Sequence, residues 1–135
     1  MNHLEKYTVY GIIEDMKYQI EMYESANGRI PIRDFLKDLQ KRNPQLVAHI
    51  LQDIDLLADF GYALREPHVK YLQDGLYELR SRFVSDIART FYFFFLQNRI
   101  VLTNVFIKKT QKTPLEELKK ALKYKKDYEQ RQDQL

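Results

Sequence analysis

Residues 87–96 read IARTFYFFFL, a run broken only by Arg89 and Thr90. So short and so apolar a run suits a strand covered on both faces, and its aromatic weight fits a pleated surface. Gln97-Asn98 then reads as a tight turn, and Arg99 to Lys108 as the last strand. Upstream, Leu76 to Phe83 alternates. Tyr77, Leu79, Ser81 and Phe83 fall on one side, and Glu78, Arg80 and Arg82 on the other. Val69 to Leu72 is a shorter strand. Successive strands with short connections predict an antiparallel meander.

Before the meander the period is helical. Ile32, Phe35, Leu36 and Leu39 follow Pro31 with the spacing of one helix face. Asn43-Pro44 opens a second helix, with Asn43 as N-cap and Pro44 at the first helical position. Its apolar set is Leu46, Val47, Ile50, Leu51, Ile54, Leu57 and Ala58, and Gly61 marks its stop. Asp53, Asp55 and Asp59 fall outside that stripe, and His49 is read as a surface side chain. Earlier still, Lys17 to Met22 alternates as a half-buried strand, and Asn27-Gly28 is the clearest turn signal. Thr113-Pro114-Leu115-Glu116 reads as a capping box, opening a helix with Leu115, Leu118 and Leu122 as its apolar stripe.

The expected fold class is α+β. One small antiparallel sheet carries two N-terminal helices on one face, with a C-terminal helix after the last strand. The opposite face is expected to be partly open. Residues 1–15 have weak pattern and read as an extension, leaving 16–135 as a single domain.

With 44 % apolar and 30 % charged residues, the composition is globular. The absence of cysteine excludes disulfides, zinc-thiolate sites, iron–sulfur clusters and thiol catalysis. Histidines at 3, 49 and 68 are too dispersed to suggest a metal site, and four glycines leave no phosphate-cradling fingerprint. No apolar stretch is long enough to span a bilayer, and Met1 to Lys6 lacks the pattern of a secretion signal. A cytoplasmic domain without metal or cofactor is therefore expected. The net charge is +3, but residues 1–64 carry −3, residues 65–98 carry +1 and residues 99–135 carry +5. Positive charge gathers toward the C-terminal half, where a polyanion such as nucleic acid would be held.

Arg80 and Arg82 share a strand side with Glu78, and Arg89 has the parity of Phe91 and Phe93. An arginine inside an aromatic strand is costly unless it is paired or turned toward a site. Glu78 and Asp86 are the available partners. Lys108-Lys109-Thr110-Gln111-Lys112-Thr113 adds cations just before a helix start, and both features favour phosphate. Such a group of Arg and Lys can bind a phosphodiester and stabilise charge that develops on it during cleavage.

Three segments resemble the RelE/HigB superfamily of type II toxin–antitoxin toxins, most closely its phage-derived HigB-like branch. They are Pro67-His68-Val69-Lys70-Tyr71-Leu72, Gly75-Leu76-Tyr77-Glu78-Leu79-Arg80 and Phe106-Ile107-Lys108-Lys109-Thr110-Gln111-Lys112-Thr113-Pro114. Gly28-Arg29-Ile30-Pro31 followed by Phe35-Leu36 fits the family's opening, so the resemblance covers roughly residues 17–128. It implies a RelE-like sheet related to microbial ribonucleases, and an mRNA endonuclease acting on ribosome-bound messenger through 2′-hydroxyl attack. It also implies a neutralising antitoxin of helix-turn-helix, HigA-like type, with DNA contacted only through that partner. Carried over by position, Arg80 and Arg89 face the scissile phosphate, Lys108, Lys109 and Lys112 of the basic loop bind phosphate or donate a proton, and Lys70 matches a basic strand position. Lys70, Arg82, Lys108 and His68 are expected to contact RNA. The base is expected to be His68, whose ordinary pKa suits proton transfer, or a lysine whose pKa its cationic neighbours lower. Two departures from the family stand out. Asn104 and Val105 stand where many relatives have a histidine, and Leu115 and Glu116 stand where several have a tyrosine. A non-catalytic RNA- or ribosome-binding module is the alternative, and a subunit that merely holds an acidic antitoxin segment is a third reading.

Overall fold

The computed structural model describes residues 17–109 and 112–133. The expected extension of residues 1–15 lies outside them, as do Thr110 and Gln111 of the basic loop. Among the described residues the order is β1 (Gln19–Met22), α1 (Pro31–Arg42), α2 (Pro44–Phe60), a 3-10 turn (Gly61–Ala63), β2 (Val69–Gln73), β3 (Leu76–Phe83), β4 (Asp86–Phe95), β5 (Arg99–Lys108) and α3 (Leu115–Gln132).

The five strands form one sheet in the order β1-β5-β4-β3-β2. From β2 to β5 it is the expected antiparallel meander. β1 departs from expectation, because it joins β5 in parallel, with Gln19 opposite Arg99 and Met22 opposite Leu102. The sheet is therefore mixed. Alternation in residues 17–22 encodes which side is buried, and it carries no information about strand direction. The β2–β3 turn is Asp74-Gly75, both with positive φ (51° and 81°), the geometry of a two-residue hairpin.

The α1–α2 hairpin covers one sheet face. Ile32, Leu36, Leu39, Leu46, Ile50, Ile54 and Leu57 meet Ile20, Met22, Leu79, Ala88, Tyr92, Ile100, Leu102 and Val105 in one core. Asn43 caps α2 as expected, its Oδ1 accepting from the Leu46 amide at 3.2 Å. Gly61 ends α2 at φ 48°, where an added Cβ would lie 2.1 Å from the Tyr18 ring.

α3 lies on the other face. A second core joins Tyr23, Leu76, Phe91, Phe93, Val101 and Phe106 to Ala121 and Tyr128. Its C-terminal half is pinned by polar bonds. Tyr23 Oη donates to Asp127 at 2.6 Å, Tyr128 Oη donates to Glu21, and Arg99 Nη1 donates to Tyr128 Oη at 2.8 Å. The capping box is not formed. Pro114 holds the cap position in extended conformation (ψ 126°) with no side-chain cap bond, so Thr113 lies one residue too early. The expected apolar stripe is met in part: Leu118 and Leu122 pack against the second core, Leu115 is 62 % exposed, and Ala121 and Tyr128, seven residues apart, are the positions most deeply buried.

The second core occupies the sheet end that carries Leu76, Phe93 and Val101, three residues in register across β3, β4 and β5. At the other end of that face, beyond Phe91 and Phe106, no helix of the described residues covers the sheet. The open region anticipated from sequence is thus half a face.

Candidate functional site

Alternation and register together decide what lies on that uncovered half. β3 places Glu78, Arg80 and Arg82 on it. Cross-strand pairing sets Lys70 opposite Glu78, Arg89 opposite Arg80, and Ile87 between Arg82 and Lys108. The result is a cleft of about 800 Å³ lined by Lys70, Arg80, Arg82, Arg89, Lys108 and Lys109, with Pro67, Ser85 and Ile87 at its sides. No carboxylate is among these lining residues.

Beneath them sits Glu78, fully buried. Its Oε1 accepts from Arg89 Nη1 and, at 3.2 Å, from Arg80 Nε. Its Oε2 and the Arg89 Nε are buried with no hydrogen-bond partner. Arg89 is only 7 % exposed, so the internal pairing foreseen as one option for it is the one adopted, with Glu78 as partner. Asp86, the other option, accepts from Asn43 Nδ2 at 3.1 Å. Arg80 differs. Only its Nε contacts Glu78, and its side chain keeps 29 % exposure, so both terminal nitrogens remain for a ligand. A planar guanidinium held in this way presents a fork suited to two oxygens of one phosphate.

The cleft is electrostatically crowded. Desolvation lowers the Arg89 pKa, with Glu78 pulling upward and Arg80 adding to the drop. Lys108 is lowered as well, first by desolvation and then by Arg89, Arg80 and Lys70, against the pull of Glu78. Six cations over one buried carboxylate leave this surface strongly positive. Removing charge repulsion among them is a reason for the cleft to take up an anion.

Six of the eight residues expected at the site therefore converge. Arg80, Arg82, Arg89, Lys70, Lys108 and Lys109 all line the cleft. His68 and Lys112 do not. His68 is exposed in the turn before β2, where its carbonyl accepts from the Arg80 amide at 2.8 Å. That bond is made by backbone, and the imidazole is outside the cleft lining. Lys112 is exposed on the approach to α3, past Thr110 and Gln111. Glu78 is the contributor that sequence reasoning passed over as a site residue. Its signal was present, as an acidic residue on the arginine-bearing side of an alternating strand.

Asn104, where many resembling proteins carry histidine, is buried here and serves α3. Its Nδ2 donates to the Glu117 carboxylate at 2.9 Å, and its Oδ1 accepts from the Thr103 hydroxyl at 2.8 Å. Among the described residues no group of three or more His, Asp or Glu side chains is placed to hold a metal ion. No helix among them is long and apolar enough to cross a membrane.

Residues 35–126, well over half of the chain and including every residue of the cleft, match the family described as "Phage derived protein Gp49-like (DUF891)". No curated protein matches the chain.

Proposed function

The chain belongs to the Gp49-like family of phage-derived proteins, a toxin-like family of the RelE/HigB type, and from that premise we propose that it is the toxin of a toxin–antitoxin pair that cleaves messenger RNA on the ribosome. The observation that carries the proposal is the cationic cleft, with its arginine fork at Arg80 and no carboxylate on its lining.

The chemistry is attack of a ribose 2′-hydroxyl on the adjacent phosphorus. The 2′-hydroxyl proton passes to solvent as the new oxygen–phosphorus bond forms, the bond from phosphorus to the 5′-oxygen breaks, that oxygen leaves with a proton, and a 2′,3′-cyclic phosphate results. Charge builds on the non-bridging oxygens in the transition state, and fixed cations stabilise it. Arg80 takes two of those oxygens, and Arg82 and Lys70 hold the flanking phosphates. Lys108, whose ammonium gives up its proton more readily than an ordinary lysine, donates to the leaving oxygen. Lys109 extends the grip toward α3. A helix-turn-helix antitoxin would neutralise the protein by laying an acidic segment into the same cleft.

The test is primer extension on translated messenger, with wild type and Arg80→Ala. New 5′ ends with wild type that vanish with Arg80→Ala support the proposal. One observation favours a second reading, a non-catalytic ribosome-binding module: no histidine, tyrosine or carboxylate lines the cleft to act as base. Translation arrest without new 5′ ends selects that reading.

A further inference from the structure

Glu78 presents an imbalance that the cleft's binding role does not explain. A fully buried carboxylate lies under six cations, one oxygen holds two arginines, and the other oxygen has no partner. A carboxylate beneath an anion site weakens anion binding through charge alone. Burying it also costs desolvation that only good geometry offsets. Its presence calls for a contribution other than charge.

We propose that Glu78 is a positioning residue: it holds Arg80 by Nε so that the terminal nitrogens serve one phosphate, and it keeps Arg89 as a buried strut. This rests on the reading of the cleft as an RNA-phosphate site. Three features support it. Arg80 contacts Glu78 through Nε alone, the one nitrogen whose use leaves the bidentate end intact. Arg89, directly across from Arg80 in the sheet, is the more deeply buried of the two and donates to the same oxygen. The shared Oε1 ties β3 to β4 at the row that forms the cleft floor, so the arginine fork is fixed before any ligand arrives. Fixing a long side chain in advance lowers the ordering cost of binding.

The position gives a test in which charge and positioning predict opposite signs. Glu78→Gln removes the negative charge and retains an acceptor. If Glu78 mattered only through charge, the variant would bind a polyanion more tightly. The probe is a 2′-O-methyl oligoribonucleotide, which cannot be cleaved, with affinity read by fluorescence anisotropy and fold by thermal melting. Positioning predicts that Glu78→Gln binds about tenfold more weakly than wild type, the loss of roughly one charge-assisted hydrogen bond. It also predicts faster solvent exchange of the Arg80 Nε proton in nitrogen-15 spectra. Because Glu78→Gln leaves Arg89 buried without its counter-charge, the comparison is repeated in an Arg89→Met background, where an apolar side chain replaces the strut. The drop from Arg89→Met to Glu78→Gln/Arg89→Met should be of similar size. Equal or tighter binding by the Gln variants overturns the proposal. Absence of binding by wild type overturns the RNA reading, and the proposal with it.

Discussion

Raising the pH should detach α3 before it affects the rest of the fold, because two phenols carry that helix. Tyr23 and Tyr128 are both pushed up to about 12. For Tyr23 the causes are burial and then the Asp127 carboxylate that accepts its proton at 2.6 Å. For Tyr128 they are burial and then Glu21, opposed by Arg99. In the unfolded chain both titrate near 10, so folding holds the proton more tightly and stability falls as pH rises from about 10 to about 12. A shift of about two units corresponds to about 2.7 kcal/mol per tyrosine, or about 5 kcal/mol for the pair. That is comparable to the whole stability of a small domain. Tyr92, buried in the α1–α2 core, is shifted in the same direction. Tyr23→Phe/Tyr128→Phe removes the effect and loses both hydrogen bonds, at about 1 kcal/mol each near neutral pH. Wild type should therefore be about 2 kcal/mol more stable than the double variant at pH 8. By pH 12 it should be about 3 kcal/mol less stable. Urea denaturation followed by far-ultraviolet circular dichroism reads this crossover, and lysine deprotonation common to both proteins cancels in the difference. A stability difference that stays constant across the range would refute the reasoning.

Other expectations follow from single positions. Ile54 is fully buried between α2 and the sheet, and Ile54→Ala should lower the unfolding free energy by about 3 kcal/mol, read from the urea midpoint. Val84 sits at φ 56° in the β3–β4 turn and is 79 % exposed, so its left-handed backbone is strained with no packing in return. Val84→Gly should raise stability by about 1 kcal/mol, seen as a higher melting temperature. Asn43→Ala removes the α2 cap and the bond to Asp86, and should cost about 1 kcal/mol in the same assay.

Much of this architecture is legible in the residues, for reasons that differ from element to element. β3 and β5 begin and end where alternation and turn chemistry place them, because each has one polar side or a clear flanking turn. Asn43-Pro44 and Gly61 bracket α2, since cap and stop chemistry are local. The direction of β1 is not local. It depends on pairing with Arg99–Leu102, about eighty residues downstream. The placement of α3 is equally non-local: Leu115, Leu118 and Leu122 all match the helical period, yet only Leu118 and Leu122 pack on the core, and Ala121 and Tyr128 are the positions buried with Leu76, Phe93 and Val101. At the site, strand parity is enough to bring Arg80, Arg82 and Arg89 together. Parity does not separate the half-buried Arg80 from the buried Arg89. Position across the sheet does: Arg89 lies on the central strand β4, whereas Arg80 lies on β3, one strand from the edge. His68 and Lys112 fall outside the cleft because side chains in turns and loops obey no period.

The most direct measurement of the central claim is the salt dependence of affinity for a single-stranded oligoribonucleotide. With about four of the cleft cations on phosphates, the logarithm of the association constant should fall against the logarithm of salt with a slope of about −3. Removing the cleft charges through Arg80→Ala/Arg82→Ala should flatten that slope by about 1.4 and weaken binding at every salt concentration. Affinity and slope that are the same in wild type and variant would place RNA elsewhere on the protein and contradict the account.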